Sequence, residues 1–396
     1  MKKLLQINEC LNFSTGKIAQ QIGDLALKNG WESWIAYSGR EKTIQSRSQL
    51  IKVGSLTDAT IHYIYNRLFD GEGLTSTLET KKLIKRIEDI EPNIIHLHNI
   101  HDHWLNYEVL FKYLAPKNIP IIWTQHDCWS FTGGCMYYDL HNCSGWLNGC
   151  QNCKDKRALF NRAKNNYHRK IKAITALDKI TLVPVSDWLG DSLRMSALRR
   201  LPIHTIHNGI DINLFKPTKK MDRCNKKFIV LGVAAVWDAR KGLDDFIKLR
   251  ALLPKDDFTI ILVGLTKKQI RSLPDGVRGI ERTQSVVELA NLYSEADVFV
   301  NPTYSDNFPT TNLEALACGT PVITYNTGGS PEAIDEMTGR VVNQGDINAL
   351  AQSIHNLKEH PIDKEVCRKR VEDHFDKERC FMDYITLYNK ILNNNV

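Results

Sequence analysis

Residues 301–332 read NPTYSDNFPTTNLEALACGTPVITYNTGGSPE. An apolar strand, DVFVNPT, runs into this stretch and ends at Pro302, and a loop then carries Asp306. A helix is expected from near Pro309, because proline in the first helical turn gives up an N–H that has no partner there anyway. Glu314 sits on that helix, eight residues after Asp306. Gly319 ends the helix, PVITY is the next strand, and Thr327-Gly328-Gly329 opens a further helix. Two carboxylates thus fall beside exposed helix starts. Free N–H groups at helix starts attract phosphate. One carboxylate can accept hydrogen bonds from paired ribose hydroxyls, and the other can hold sugar hydroxyls beside developing positive charge.

The same strand–helix rhythm extends in both directions. KFIVLGVAAV and FTIILVG are strands, with a helix from Lys241 between them, and VVELANLYSEA is a helix before DVFVNPT. Upstream, KKLLQI is a strand followed by a Ser14-Thr15-Gly16 turn and a helix ending at Gly30. Trp31–Tyr37, NIIHLHNI and IPIIWTQHD are strands, and WLNYEVLFKYLA is a helix. Repeated units of this kind predict parallel sheets with helices on both faces. The turn-rich segment from 205 to 225 divides the chain. The expected domains are 1–205, with a Cys-rich insertion at 128–153, and 206–376. A C-terminal helix follows over 377–396, its Phe381, Tyr384, Ile385, Tyr388 and Ile391 at helical spacing.

The stretch at 301–332 resembles the signature of glycosyltransferase family 4, whose members are retaining enzymes of the GT-B fold. The hallmark is two acids with seven residues between them, followed by a run of Ala, Gly, Pro and Val. Here it is Asp306 and Glu314, then Ala315, Ala317, Gly319, Pro321 and Val322. Aspartate replaces the usual glutamate at the first position. The resemblance implies two Rossmann-like domains facing across a cleft, and it allows the last helix to cross back to the first domain. The second domain would bind a nucleotide-sugar and the first an acceptor. Asp306 would contact the donor sugar at the reacting centre. Backbone of Asn307, Phe308, Pro309, Thr310 and Thr311 would bind sugar and diphosphate, and Glu314 would hold the ribose. In VAAVWDARKG, Lys241 matches the family's phosphate-binding lysine. The matching arginine position falls on Ala235 or Val236, leaving Arg240 as a substitute. Arg282 is the candidate for nucleobase contact, weighed equally against a surface arginine.

His126, at the end of IPIIWTQHD, matches the family's T-x-H-D and would lie by the reacting centre, although a lone histidine after an apolar strand is often only structural. Gly16 matches the family's glycine-rich first loop, where backbone meets substrate closely, and Lys17 could meet an acceptor phosphate. The chain has ten cysteines, and five lie between 128 and 153. Cys150-x2-Cys153 has metal-knuckle spacing, and Cys135 and Cys143 could complete a structural zinc site of four thiolates. Buried thiols or a redox pair are the alternatives. Catalysis itself calls for no cofactor. The motif HDCW-x-F-T-G-G-C is similar to family members that build capsular, colanic-acid-like or O-antigen polysaccharides.

The 396 residues are 42% hydrophobic and 24% charged, with a formal net charge of +7. That composition suits two globular domains and an anionic substrate or membrane surface. The N-terminus reads as a strand rather than a signal peptide, which implies a cytoplasmic protein. The basic run from Lys154 to Lys172 is either a solvated helix face or a peripheral contact with anionic lipid at the inner membrane face. No nucleic-acid module surrounds it. No G-x-G-x-x-G follows either first strand, which disfavours a nicotinamide dehydrogenase. The leading expectation is a hexosyltransferase acting on a lipid-diphosphate-linked saccharide. A nucleotide-sugar 2-epimerase of the same fold, or a non-catalytic binder of nucleotide-sugar and zinc, is the alternative.

Overall fold

The computed structural model describes residues 1–12, 14–40, 45–151, 153, 157–218 and 227–393. The chain forms two compact units. The first comprises Met1–Ile206 and Phe381–Val396, and the second His207–Cys380. Residues 219–225 of the expected divider, and Lys154, Asp155 and Lys156 of the basic run, lie outside the described residues.

The first unit holds a six-stranded sheet of β1 (Lys2–Ile7), β2 (Trp31–Ser38), β3 (Gln49–Val53), β4 (Ile94–Leu97), β5 (Ile121–Gln125) and β6 (Ile180–Pro184). Its order is β3-β2-β1-β4-β5-β6, and the pairings are parallel. The second unit holds β7 (Phe228–Val233), β8 (Phe258–Val263), β9 (Val277–Ile280), β10 (Val298–Asn301), β11 (Val322–Tyr325) and β12 (Gly339–Val342). Its order is β12-β11-β10-β7-β8-β9, again parallel. Counted from each unit's own first strand, both orders are 3-2-1-4-5-6, the Rossmann arrangement.

Burial follows from the layers. Strands covered by helices on both faces read as continuous apolar runs. Accordingly β4, β5, β10 and β11 are buried throughout, whereas the edge strands β3, β9 and β12 alternate with exposed positions. Those edge strands, and the buried edge strand β6, were not among the strands expected from the sequence. The predicted helix after Thr327-Gly328-Gly329 is only a 3-10 turn, Ser330–Ala333.

The last helix, Lys377–Asn393, belongs to the first unit from Phe381 onward. Its Tyr384 and Tyr388 are buried. Tyr388 Oη lies 2.6 Å from His96 Nδ1, and Thr124 Oγ1 donates to Tyr384 Oη at 3.0 Å. Because that threonine hydroxyl is spent on Tyr384, it accepts from His96 Nε2 at 2.7 Å. His96 is held neutral by burial, so its Nδ1 accepts from Tyr388. The C-terminal helix is thereby hydrogen-bonded to the centre of the first sheet.

Candidate active site

Ligands of open parallel sheets lie beyond the carboxyl ends of the strands, where the strand order reverses. In the second unit that point lies between β7 and β10. After β7, the buried Trp237 packs edge-on against Phe246 and donates its indole N–H to Val263 O at 2.9 Å. Asp238 then accepts from the Arg240 amide at 3.0 Å and starts a 3-10 turn, Ala239–Lys241. Gly242 closes the turn at φ +71°, and a Cβ there would stand 2.2 Å from Pro302 O. Only glycine lets the two loops touch at this point.

The loop after β10 is stitched to that turn. Arg240 O accepts from Tyr304 N at 2.7 Å and from Thr303 Oγ1 at 3.2 Å. Arg240 Nη1 donates to Ser305 O at 2.9 Å and lies 3.7 Å from the Asp306 carboxylate. Lys241 Nζ donates to Asp306 Oδ2 at 2.5 Å. The sequence-predicted cations and the first acid are therefore in contact. Arg240, read as a phosphate substitute, is already bonded to the opposite loop backbone. Behind the loop, buried Asp245 accepts from Tyr304 Oη at 2.7 Å and Tyr325 Oη at 2.9 Å. Burial, then the bond to Asp245, pushes Tyr304 up to about 12, so the phenol stays a donor.

The helix Thr310–Ala317 starts after Pro309, which is its N-cap and not its first residue, and no side chain caps it. The side chains of Asn307 and Phe308 are buried, with Phe308 against His207 and Phe375. Any ligand contact at 307–308 is then through backbone. Thr310 and Thr311 are half-buried. Beneath the helix start, Asn312 accepts from Asn301 Nδ2 at 2.9 Å and donates to Ser330 O at 3.1 Å, fixing β10 to the 327–330 turn. Gly329 N donates to Asp306 O at 3.1 Å. Glu314 Oε2 accepts from Tyr293 Oη at 2.9 Å. Arg282 is exposed past the end of edge strand β9.

In the first unit the corresponding reversal is between β1 and β4. His126 follows β5 and is half-buried. Gln6 Nε2 donates to Ala19 O at 2.7 Å, which aims Gln6 Oε1 at His98 Nε2, 3.0 Å away. An amide oxygen only accepts, so His98 carries its proton on Nε2. Burial holds His98 well below the usual histidine range, so it is neutral and its Nδ1 accepts. The partner of that Nδ1 is His126 Nε2, at 3.1 Å. His126 is in turn lowered to about 4, chiefly by burial, so it too is neutral, and facing the acceptor His98 Nδ1 it carries its one proton on Nε2 and leaves Nδ1 unprotonated. The amide of Gln6 thus sets the tautomer of His126 through His98.

Next to this relay lies a charged cluster that the sequence did not reveal. His101 Nε2 is 2.9 Å from Asp127 Oδ2, and its Nδ1 is 3.4 Å from Glu72 Oε1. Burial opposes the charge on His101, but Asp127 and Glu72 hold its pKa well above the ordinary value. Lys170 is fully buried, bonded to Trp129 O with its ammonium 3.5 Å from the Trp129 ring centroid. Burial lowers it to about 7. The basic run is therefore not one solvated face. Arg157 is half-buried on Gly133 O at 3.0 Å, Arg169 pairs with Glu108, and Arg162, Lys164 and Lys172 are exposed.

Gly16 is buried, and a Cβ there would meet Leu11 backbone at 2.5 Å. The chain's own loop at Leu11 already requires glycine at this position. Lys17 is exposed. Cys135, Cys143, Cys150 and Cys153 line a single cavity.

Comparison with known proteins fits both units. Residues 19–214 match the model for Glycosyltransferase Family 4, and residues 227–360 match that for Glycosyl transferases group 1. The chain belongs to glycosyltransferase family 4. It is similar to a protein of Escherichia coli (strain K12) named as a colanic acid biosynthesis glycosyl transferase, WcaC. The two are 25% identical over 356 residues, 85% of each chain. Among solved structures, this glycosyltransferase superposes on sucrose-phosphate synthase of Thermosynechococcus elongatus with TM-score 0.75 and 19% identity, covering 100% of both chains. It superposes on Anabaena HepE in complex with UDP-glucose with TM-score 0.66 and 14% identity, over 98% of this chain and 100% of that one. These likenesses establish the GT-B fold.

Histidine NMR tests the relay directly. At pH 7 His126 should be the Nε2–H tautomer, and it should titrate near 4 rather than near 6.5. Because its folded pKa is depressed, its contribution to stability is full above about 6.5 and is lost as pH falls toward 4. His101 has the opposite sign, contributing below its raised pKa and losing that contribution as pH rises through it. An Nδ1–H tautomer of His126 at neutral pH would contradict the assignment.

Proposed function

We propose that this glycosyltransferase is a retaining hexosyltransferase. It takes a sugar from a nucleotide-sugar and passes it to a saccharide acceptor on a lipid-diphosphate carrier, in surface polysaccharide biosynthesis. The observation that carries the donor half is the contact of Lys241 with Asp306 beside the uncapped start of the 310–317 helix. A cation and open helix amides suit a diphosphate. The adjacent carboxylate suits sugar hydroxyls and the positive charge that builds at the anomeric carbon. In the donor complex Lys241 would exchange Asp306 for phosphate oxygen, leaving Asp306 to the sugar. Glu314, oriented by Tyr293, would accept from the ribose hydroxyls. Such a diphosphate site needs no metal. In the first unit, the unprotonated Nδ1 of His126 is suited to accept from a sugar hydroxyl. The similarity to the colanic acid enzyme supports the polysaccharide context.

The carrier lipid is supported by an apolar ridge on the first unit. The helix Leu56–Phe69 exposes Ile61, Tyr63, Ile64 and Leu68. Leu159 and Phe160 add to it, their amides bonded to Arg67 O and Leu68 O at 2.9 and 3.0 Å. Arg162 sits over the Phe69 ring, and Lys164 is exposed nearby in sequence. Apolar side chains rimmed by cations suit the boundary of an anionic bilayer. No helix of the described residues is long and apolar enough to cross a membrane.

Two experiments follow. Glu314→Gln keeps an acceptor for Tyr293 but removes the charge, and Lys241→Ala removes the phosphate partner. Each should lower donor turnover by about 100-fold, with the melting temperature of the Gln variant unchanged. Near-normal turnover in either would refute the site. The double variant Ile61→Glu, Phe160→Glu should abolish co-flotation with phosphatidylglycerol vesicles while retaining turnover on a water-soluble acceptor. Undiminished flotation would refute the docking ridge.

A further inference from the structure

Among its described residues, the segment from Cys128 to Cys153 has no strand and no α-helix. It consists of turns and 3-10 pieces at Trp129–Phe131, Asp139–His141 and Gly145–Asn148. Asn142 and Cys150 take φ of +45° and +53°. Non-glycine residues hold such angles only where the surroundings over-determine them. One side of the segment has an apolar anchor. Phe131 packs edge-on against Trp146 with centroids 5.1 Å apart, and Tyr138 stacks on Trp188 at 5.5 Å. The other side faces a cavity of about 560 Å³, and Cys135, Cys143, Cys150 and Cys153 all line it. None of the described cysteines is disulfide-bonded.

Two of the sulfurs already accept backbone amides. Gly145 N–H points to Cys143 Sγ at 3.4 Å, from two residues further on, and Gly133 N–H points to Cys150 Sγ at 3.0 Å. Cys150 and Cys153 have the spacing of a metal knuckle, and Cys135 and Cys143 approach from separate turns.

We infer that this cavity is a structural zinc site whose ligands are the thiolates of Cys135, Cys143, Cys150 and Cys153. Four soft thiolates suit a tetrahedral d10 ion and leave no coordination position for water, as a structural site requires. No three of these sulfurs lie within 4.8 Å of one another, so binding draws the turns inward. Each thiol gives up its proton to solvent as its Zn–S bond forms, and no electron moves. Cys128 stays out of the set, buried away from the cavity with its amide on Met136 O at 3.1 Å. The metal would brace Thr132 and Gly133, and through them the stretch from Asp127 to Trp129 that follows His126. The site belongs to the first unit and the Lys241–Asp306 pair to the second, and the inference does not depend on the proposed reaction.

The test uses the full chain expressed in zinc-supplemented medium and measures metal by mass spectrometry. One zinc per chain is expected, with X-ray absorption showing four sulfurs at about 2.3 Å. A mercurial thiol reagent should release that zinc to a chromogenic chelator in step with thiol modification. Cys143→Ser and Cys150→Ser should each lose the metal. Should those variants aggregate, the wild-type measurements still decide. Wild-type protein without zinc, with stoichiometric iron instead, or with a Cys150–Cys153 disulfide in its peptide map would overturn the proposal.

Discussion

The second unit depends on a backbone contact between Gly242 and the Pro302 carbonyl. A methyl group at 242 would stand 2.2 Å from that oxygen, and the residue's φ is +71°. Because the position holds glycine, the loop after β7 lies directly on the loop after β10. Arg240 can then accept from Tyr304 and Thr303 and donate to Ser305, and Lys241 can reach Asp306. These contacts occur where parallel strand order reverses, the place where such sheets leave space for a ligand. Asp245, with two tyrosines donating to it, holds the loop from behind.

The first unit solves a related problem with neutral histidines. Burial keeps His96 and His98 uncharged, and His126 is lowered to about 4. Neutral rings have direction, with one nitrogen donating and the other accepting. The amide of Gln6 and the hydroxyl of Thr124 therefore decide which way each ring points. The neighbouring His101 takes the opposite state, since Asp127 and Glu72 hold its proton. The two behaviours occur within one short stretch because His101 has Asp127 and Glu72 at contact distance, whereas His96 and His98 have Tyr388, Thr124 and Gln6 as their hydrogen-bond partners.

Much of this was legible in the sequence. Apolar runs such as IIWTQ and VFVN marked the buried strands, since both their faces are covered. The acid pair with its Ala-Gly-Pro-Val run marked the family. Edge strands β3, β9 and β12 escaped notice because their mixed exposure breaks the apolar run, and β6, though buried, is a run of only five residues. That Gly16 packs on Leu11 was not legible, because spacing does not reveal an internal neighbour. The buried Lys170 was hidden in a basic run, since its partner Trp129 is remote in sequence. Arg240's bond to Ser305 and the Gln6–His98–His126 relay also required residues from separate strands to meet.

The most direct measurement is an experimental structure of the chain with an intact, non-hydrolysable nucleotide-sugar. The account predicts the diphosphate at the 310–317 helix start, with Lys241 Nζ turned from Asp306 to phosphate oxygen and Asp306 against the sugar. A diphosphate bound elsewhere, with the Lys241–Asp306 pair still closed, would contradict it.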